Sequence, residues 1–358
     1  MQHTFHSVLK VVNDYVTYTR SVAMTARLRR TRVVLTLTSV ALVLVVVLLS
    51  SRRRSSLLRS AVSPTSSSKS TCNYVCFGAP RAGNRLGNHL FYLAAVLYVA
   101  SLTGRSPCIR TSPRRSPLDR VFDLDISRLD DEDRCPIHRF RHTLVYAYNP
   151  LVETLVGVPS SRRILLVGSF ASWKYVRPID ARLRQSLNFR RKLVQFAVQF
   201  LRTNTPPGWT DSSFVRVGVH VRRGDFLHRR KIRKGFTTAT PRYLRRALGY
   251  FVDRFARIQF VVTSNDVPWC RKNVRQSFWD RNRVNITISE GHSAGQDLAL
   301  LASCNHTVIT TGTYGWWAAW LVNGITVYYA NFPRPGSSLG NRSHTEEYYP
   351  PNWIGFNG

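Results

Sequence analysis

The sequence predicts an α/β fold whose strands are parallel. Short apolar runs alternate with segments of helical spacing, an order that is typical of parallel sheets covered by helices. Residues 214–221, 258–264 and 325–331 read FVRVGVHV, IQFVVTS and ITVYYAN, and helical patterns lie between the last two. With 358 residues, 44% of them apolar, the chain is long enough to bury one large core or two ordinary ones. Disorder throughout the chain is therefore excluded.

The first half shows the same alternation. Residues 74–77 have the pattern of a short strand, and a glycine-rich turn, GAPRAGNRLGN, leads from it into an apolar helix that Gly104 would end. Residues 164–167 form a further candidate strand. Two prolines and a glycine make residues 204–211 the best boundary between two domains.

The N-terminal region predicts a membrane anchor. Residues 33–49 read VVLTLTSVALVLVVVLL, 17 residues without a charge, with arginines on both sides. This length is at the short end for a spanning helix. No small-x-small cleavage signal follows at Ser50, which favours a retained anchor over a cleaved signal peptide. Residues 1–32 are then a basic tail, and the Ser/Arg-rich residues 50–71 are a flexible stem. The balance of arginines leaves the orientation of the anchor open.

Cysteines and glycosylation sequons indicate an oxidising lumen. All six cysteines follow the apolar segment, which allows up to three disulfides and leaves their pairing open. Three Asn-x-Ser/Thr sequons, at Asn285, Asn305 and Asn341, also follow it. Cys72 and Cys76 have no second close pair and no nearby histidine, so a structural zinc site is not expected.

The chain is strongly basic. It carries 52 Lys+Arg against 19 Asp+Glu, a formal net charge of +33. The arginines are spread along the whole sequence, so most are expected on the surface, and net charge alone does not identify a partner. A nucleic-acid partner is not expected, because the arginines are not interleaved with aromatic residues in one patch.

The sharpest local feature is the strand 214–221, which runs into Arg222, Arg223 and Asp225. Ligands of open parallel sheets bind beyond the carboxyl ends of the strands, where His220 would join these three residues. Two guanidinium groups there could bind a phosphate or diphosphate through paired hydrogen bonds. A surface cluster of ordinary Arg–Asp ion pairs is the alternative.

A second candidate phosphate site is the segment 310–317, TTGTYGWW, at the junction of a strand and an apolar helix. The hydroxyls of Thr310, Thr311 and Thr313, together with the backbone N–H groups of a helix N-terminus, would form a cradle for phosphate. The preceding helical segment carries Asp297, four residues after Ser293. N-capping is the alternative explanation of that pair.

Two further segments have competing explanations. The turn GNRLGNHLF, residues 83–91, is either a close backbone contact at a helix start or a place where Asn88 or His89 bonds a hydroxyl of an acceptor. Asp123 and Asp125 imitate the Asp-x-Asp pair that holds Mn²⁺ on nucleotide diphosphates. The acidic residues continue to Asp133, however, which is typical of a solvated surface. No metal site is expected.

Four segments together resemble the galactoside α-1,2-fucosyltransferases. The three motifs of that family are similar to GVHVRRGDF (218–226), FVVTSNDVPWCRKN (260–273) and DLALLASCNHTVITTGTYGWWAAWL (297–321). GNRLGNHLFYLAAVLYVA resembles the family's N-terminal signature. The likeness runs in order from about residue 82 to Phe356 and is weaker over about 105–210.

The resemblance implies a single-pass type II Golgi membrane protein with a GT-B-like body of two Rossmann-like domains. The acceptor-side domain would span 72–210 and the GDP-fucose-binding domain 211–358. The implied reaction moves L-fucose from GDP-β-L-fucose to the 2-hydroxyl of a terminal β-galactose on a glycoprotein or glycolipid. It inverts the anomeric centre and needs no metal or other cofactor. The rest of the acceptor glycan, and whether the stem mediates a homodimer, stay open.

The resemblance also implies roles for residues. The family's His-x-Arg-Arg-x-Asp motif falls on His220, Arg222, Arg223 and Asp225, and the two arginines would bind the diphosphate and stabilise the departing GDP. The other donor-site candidates are Ser264, Asn265, Asp297, Thr311, Gly312, Thr313 and Tyr314. If the reaction uses a base, the candidates are Asp225, Asn88 and His89.

A hypothesis from another class is a catalytically inactive, membrane-tethered basic protein that binds glycans or polyanions. The charge of +33 would then be the operative feature. Release of GDP from GDP-fucose in the presence of a β-galactoside would distinguish the enzyme from the binding protein.

Overall fold

The computed structural model describes residues 72–78, 85–110, 116–129 and 135–358. All of them belong to one compact unit, Ser70–Gly358. The expected tail, the anchor at 33–49 and the stem lie outside the described residues.

Strands and helices alternate along the chain. The strands are β1 (Tyr74–Phe77), β2 (Ser106–Arg110), β3 (Phe122–Asp123), β4 (Ser127–Leu129), β5 (Ile137–Arg141), β6 (Arg163–Val167), β7 (Asn188–Phe189), β8 (Val215–Val221), β9 (Ile258–Ser264), β10 (Val284–Ile288), β11 (His306–Ile309), β12 (Thr326–Tyr329) and β13 (Ile354–Phe356). The α-helices are α1 (Leu86–Thr103), α2 (Trp173–Val176), α3 (Asp180–Ser186), α4 (Arg191–Asn204), α5 (Arg229–Lys234), α6 (Pro241–Val252), α7 (Val267–Asn273), α8 (Ala294–Ala302), α9 (Thr313–Val322) and α10 (Thr345–Tyr348). Short 3₁₀ helices span Pro117–Arg120, Pro150–Gly157, Arg177–Ile179, Gly224–Leu227, Gln276–Phe278 and Gly340–Arg342.

Two parallel sheets organise these elements. The first has the order β4-β2-β1-β6-β5 and the second the order β10-β9-β8-β11-β12-β13. Every pairing within both sheets is parallel, which confirms the predicted α/β class. β3 and β7 form a separate antiparallel pair. The two sheets fall on opposite sides of residues 204–211 in the sequence.

Helix α1 is buried because it is apolar on nearly all of its faces. Gly104 ends it in the left-handed conformation, with φ of 66°, as the sequence predicts. Among the described residues, this is the one helix whose length and composition would suit a membrane span, and 72% of its apolar stretch is buried inside the protein. It is the core helix of the fold.

The core of the second sheet extends through α9 to α1, and the smaller core of the first sheet packs on α1 as well. The Phe91 ring of α1 lies 4.7 Å from the ring of Trp316 and 5.0 Å from that of Trp317, both in α9. A second link is made by the C-terminal segment, where Tyr146 pairs with Ser343 and the Ser172 hydroxyl donates to the Glu347 carbonyl oxygen at 2.5 Å. These contacts fix the carboxyl ends of both sheets relative to each other.

The six cysteines form two disulfides and leave two thiols. Cys72 is bonded to Cys135, and Cys76 is bonded to Cys108 at paired positions of β1 and β2. Cys270 and Cys304 are free and buried. The sequence allowed three disulfides, and the fold separates the last two cysteines from the disulfide-bonded four.

Candidate active site

The carboxyl ends of the two sheets line a cavity of about 900 Å³. The first sheet contributes residues that end or follow β1, β5 and β6, and the second contributes residues that end or follow β8, β9 and β11. The N-termini of α1 and α9 open onto the same space. This is the position in which parallel α/β sheets bind ligands.

Arg222 lies in the wall of this cavity, directly after β8. Its backbone N–H donates to Thr310 Oγ1 at 2.8 Å, and its Nη2 lies 2.5 Å from Asp225 Oδ1. Arg85, at the start of α1, reaches the other oxygen of the same carboxylate at 3.5 Å. Asp225 thus holds two guanidinium groups from opposite halves of the molecule at the cavity. Each of them keeps further N–H donors for an anion.

Arg223 has a different environment from its neighbour. Its guanidinium group lies over the Trp269 ring, 4.1 Å from the centroid, and its Nε lies 3.4 Å from Asp266 Oδ2. Its Nη1 donates to the Ala239 carbonyl oxygen at 3.3 Å. Because of these contacts, the Arg223 side chain does not line the cavity.

Ser264 and Asn265 line the cavity and fix the loop after β8. The Ser264 hydroxyl donates to the Val221 carbonyl oxygen at 2.9 Å, and Asn265 Oδ1 accepts from the Arg223 backbone N–H at 2.9 Å. A Cβ on Gly224 would lie 2.1 Å from Asn265 Nδ2, so this turn requires glycine.

His220 is a buried, neutral histidine. Burial, with a smaller contribution from Arg222, lowers its pKa to about 3. Its ring lies 5.0 Å from that of Tyr314. A Cβ on Gly315 would lie 2.5 Å from the Nδ1 of His220. Helix α9 can therefore lie this close to His220 only because position 315 is a glycine. His220 therefore shapes the cavity wall without adding positive charge.

The segment 310–314 meets the start of α1. Thr313 Oγ1 donates to Asn88 Oδ1 at 2.9 Å, and a Cβ on Gly87 would lie only 2.6 Å from the Tyr314 backbone nitrogen. The N-termini of α1 and α9 thus converge on the cavity, where their partial positive charges favour an anion. Thr311 lines the cavity with a buried hydroxyl that has no hydrogen-bond partner among the described residues.

Asp297 lines the cavity from the first turn of α8. Burial raises its pKa to about 6, while the hydrogen bond from Ser289 opposes the shift. Unlike Asp225, which is held by two arginines, Asp297 is not paired with an arginine in the cavity wall.

The structure separates the three candidates for a base. Asp225 is ion-paired and Asn88 lines the cavity, but an amide cannot act as a base at neutral pH. His89 is not among the lining residues. Its Nδ1 lies 3.4 Å from the Ser116 hydroxyl, and burial lowers its pKa.

Sequence reasoning missed several cations of the cavity. The cationic lining residues are Arg85, Arg141, Arg222, Lys231, Lys234 and Arg342, against the carboxylates of Asp225 and Asp297. Burial lowers the pKa of Lys231. The nearby positive charges of Lys234, Arg85 and Arg222 lower it further, and the carboxylate of Asp225 opposes the shift. The sequence does carry a signal for Lys231 and Lys234. They belong to the basic run of α5, which follows residues 222–225 so closely in the chain that it must lie near the cavity.

The remaining predicted positions lie elsewhere. Asn285 is partly buried in β10, whereas Asn305 and Asn341 are exposed. Asp123 lies 3.5 Å from Arg190 and lines no part of the cavity, while Asp133 lies outside the described residues. Within the described part of the chain, no three His, Cys, Asp or Glu side chains come together as a metal site would require.

The chain is similar to proteins named as galactoside α-1,2-fucosyltransferases. The glycosyl transferase family 11 model matches residues 44–357. Galactoside alpha-(1,2)-fucosyltransferase 2 of Hylobates lar is 34% identical over 274 residues, which are 76% of this chain and 76% of that protein. Galactoside 2-alpha-L-fucosyltransferase Sec1 of Mus musculus is 34% identical over 278 residues, 77% of this chain and 72% of that protein.

Among solved structures, Arabidopsis thaliana FUT1, crystallised as a mutant with GDP, has a similar fold. The TM-score is 0.51 at 14% identity, and the match covers 77% of this chain and 73% of that chain. At this identity the likeness concerns the fold.

Proposed function

The chain belongs to glycosyl transferase family 11, and from this membership we propose that it is a galactoside α-1,2-fucosyltransferase. The family expected from the four sequence motifs is confirmed. The reaction would move L-fucose from GDP-β-L-fucose to the 2-hydroxyl of a terminal β-galactose, with inversion. The observation that carries the proposal is the position of Arg222 at two converging helix N-termini in the cavity.

The chemistry of the cavity suits a departing nucleoside diphosphate. As the bond between fucose and diphosphate breaks, negative charge grows on the leaving oxygens, and fixed donors that meet this charge lower the barrier. Arg222 is held in place by Asp225, and Lys231 adds a third cation beside Arg85. In our proposal this charge lets transfer proceed without a divalent ion or other cofactor.

We propose that the donor contacts the cavity wall of the second sheet. His220, Ser264, Asn265, Asp297 and the segment Thr311 to Tyr314 all line it, Gly312 included. Arg222 is the proposed diphosphate ligand. Arg223, whose side chain packs on Trp269, would act by holding the loop that presents Arg222.

The cell-biological part of the proposal is a single-pass type II Golgi membrane protein. It is supported by the uncharged residues 33–49 and by the three sequons that follow them. The acceptor-side region would be residues 72–210 and the donor-side region 211–358, with glycosylation at Asn285, Asn305 and Asn341 and galactose-terminated glycoproteins or glycolipids as acceptors. A homodimer stays a prediction. The inactive polyanion-binding alternative has no support in the fold or in the relatives.

The test is release of GDP from GDP-fucose by the full chain in detergent, with a β-galactoside acceptor and EDTA. Arg222→Ala is expected to lower kcat/KM by at least ~10²-fold, the effect of removing one preorganised charge-stabilising donor. Arg254→Ala is the matched control, because Arg254 is exposed and lies over the Tyr250 ring, outside the cavity lining. Undiminished turnover of Arg222→Ala would refute the role of Arg222, and absence of GDP release by the unsubstituted chain would refute the activity.

A further inference from the structure

Three cations of the cavity have no acidic partner. Arg141, Lys234 and Arg342 line the cavity, and none of them forms an ion pair with a carboxylate of the described residues. The two arginines of the proposed diphosphate site, by contrast, share one carboxylate. Cations in a cleft attract an anion more strongly than cations on an open surface, because the walls exclude part of the solvent.

Backbone hydrogen bonds place these three cations on adjacent segments. The Leu339 N–H donates to the Lys234 carbonyl oxygen at 3.0 Å, and the Val145 N–H donates to the Arg342 carbonyl oxygen at 2.8 Å. Arg141 ends β5, four residues before Val145. The three side chains therefore form a basic band that runs from α5 across the C-terminal segment to the edge of the first sheet.

The arginines of the basic band keep donors for a ligand. Arg342 Nε donates to the Ser338 carbonyl oxygen at 3.1 Å, which holds the side chain and leaves its two terminal nitrogens available. Both Arg141 and Arg342 are exposed at the mouth of the cavity. Thr143 and Ser169 line the same part of the wall and add hydroxyl groups. The wall can thus bind an oxyanion and hydrogen-bond the hydroxyls of a sugar.

The turn after β6 completes this wall with a strained backbone. Phe170 has a φ of 52° although it is a bulky and fully buried residue. A Cβ on Gly168, whose φ is 151°, would lie 2.5 Å from the His142 carbonyl oxygen, so the turn lies directly against the end of β5. Ser169 lies between the two and lines the cavity. Strain of this kind is typical of ligand sites, which supports a binding role for the wall.

The basic band begins apart from the proposed diphosphate site. β5 is the edge strand of the first sheet, and β6 separates it from β1, the strand that leads into α1. Two strand spacings are roughly 10 Å. Arg141 therefore lies on the side of the first sheet, where the proposed function puts the acceptor, and not at the converging starts of α1 and α9.

We propose that the basic band binds an acidic group of the acceptor glycan, a sulfate ester or a sugar carboxylate, so that acidic galactose-terminated glycans are the preferred acceptors. This inference rests on the proposed function, because it assigns a substrate class to the same cavity. Both groups are compact oxyanions that a guanidinium group binds through paired hydrogen bonds. The band makes and breaks no covalent bond, and its effect is on the binding of the acceptor.

The experiment compares kcat/KM of the full chain in detergent for three acceptors with a terminal β-galactose. They are N-acetyllactosamine, the same disaccharide with a sulfate ester on its second sugar, and a disaccharide of galactose and glucuronic acid. At least one acidic acceptor should exceed the neutral one by ~10-fold, the size of one charge-assisted hydrogen bond in a partly solvated site. This ratio should fall as the ionic strength is raised to about 1 M, since salt screens exposed charges.

Substitutions in the basic band should lower the acidic-to-neutral ratio. Arg342→Gln and Arg141→Gln each remove one charge, so each should lower the ratio by roughly 3- to 10-fold, mainly through the KM of the acidic acceptor. Arg342→Glu should lower it further, because it places a repelling carboxylate there. Arg233→Gln is the matched control, since Arg233 is exposed on α5 beside Lys234 but does not line the cavity. It changes the net charge equally and should leave the ratio unchanged.

Each outcome has one meaning. Equal kcat/KM for neutral and acidic acceptors, or a preference that Arg233→Gln lowers as much as Arg342→Gln does, would overturn this inference while the proposed function stands. Preference for only one of the two acidic acceptors would support it and identify the group as sulfate or carboxylate. Absence of transfer to all three acceptors by the unsubstituted chain would overturn the proposed function, and this inference with it.

Discussion

Arg222 and Arg223 are adjacent in the chain but have different surroundings. β8 ends at Val221, and after it the Arg222 guanidinium group turns to the cavity while Arg223 turns to α7. Paired arginines in a sequence suggest two anion ligands, whereas the loop geometry places only Arg222 at the cavity and packs Arg223 on Trp269. Asp266 and Trp269 decide this, because together they satisfy both the charge and the flat face of Arg223.

Substitution of Arg223 should therefore affect stability more than chemistry. Arg223→Ala removes the cation that pairs with the partly buried Asp266, so the midpoint of thermal unfolding should fall, with a destabilisation of about 1–3 kcal/mol. Affinity for GDP, measured by calorimetry, should fall less than in Arg222→Ala. A larger loss of GDP affinity in Arg223→Ala, with an unchanged unfolding midpoint, would assign Arg223 to the diphosphate instead.

At the scale of elements, two helix N-termini meet at the cavity. α1 follows the first sheet's β1 and α9 follows the second sheet's β11, yet Gly87 brings their first turns into backbone contact. Neither helix has a side-chain cap at this end. The partial positive charges of the two helix starts therefore add at the cavity, where they favour an anion.

The contact between the two helices can be tested with one methyl group. Gly87→Ala would place a Cβ 2.6 Å from the Tyr314 nitrogen, so the helices must separate. We expect destabilisation of ~1–3 kcal/mol, typical of overpacking, and a loss of transfer activity. Gly157→Ala is the matched control, because no atom lies within 4 Å of its Cβ position, and its effect should stay within about 0.5 kcal/mol. Equal unfolding midpoints for the two variants in chemical denaturation would contradict the contact.

At the scale of the whole molecule, covalent links stabilise one half and packing stabilises the other. Both disulfides lie at the first sheet, whose strands are short and which has the smaller core of its own. The second sheet and the helices packed on it have the larger core, and the two buried thiols lie in this half. Burial raises the pKa of Cys270 to about 11 and that of Cys304 to about 12, so both thiols stay protonated at neutral pH.

This distribution predicts the number of reactive thiols. In the native protein an alkylating reagent should modify no cysteine, since the two free ones are buried and protonated. In denaturant without reductant it should modify two, and after reduction all six. Intact mass and peptide mapping give the count, and Cys270 and Cys304 should carry the first two labels. Labelling of Cys72 or Cys76 before reduction would contradict the pairing.

The sequence also predicted much of the fold and part of the site. Strands at 74–77, 164–167, 214–221, 258–264 and 325–331 were readable because buried parallel strands are short apolar runs between turns. The cavity position of Arg222 and Asp225 followed from the rule that ligands bind beyond strand ends. Arg85 could not be found this way, because its contact with Asp225 joins two segments far apart in the chain.

By itself, the sequence determined the α/β class, the strand that ends at the site, and the family to which the chain belongs. Local periodicity and ordered motifs encode these properties, and neither depends on which segments touch. Only the tertiary structure decided that Arg223 packs on Trp269, that Gly87 joins two helix starts, and that Asp297 is buried beside Ser289. The physical reason is that burial and hydrogen bonding set the charge, the pKa and the reach of a side chain, and both arise from contacts that chain order does not specify.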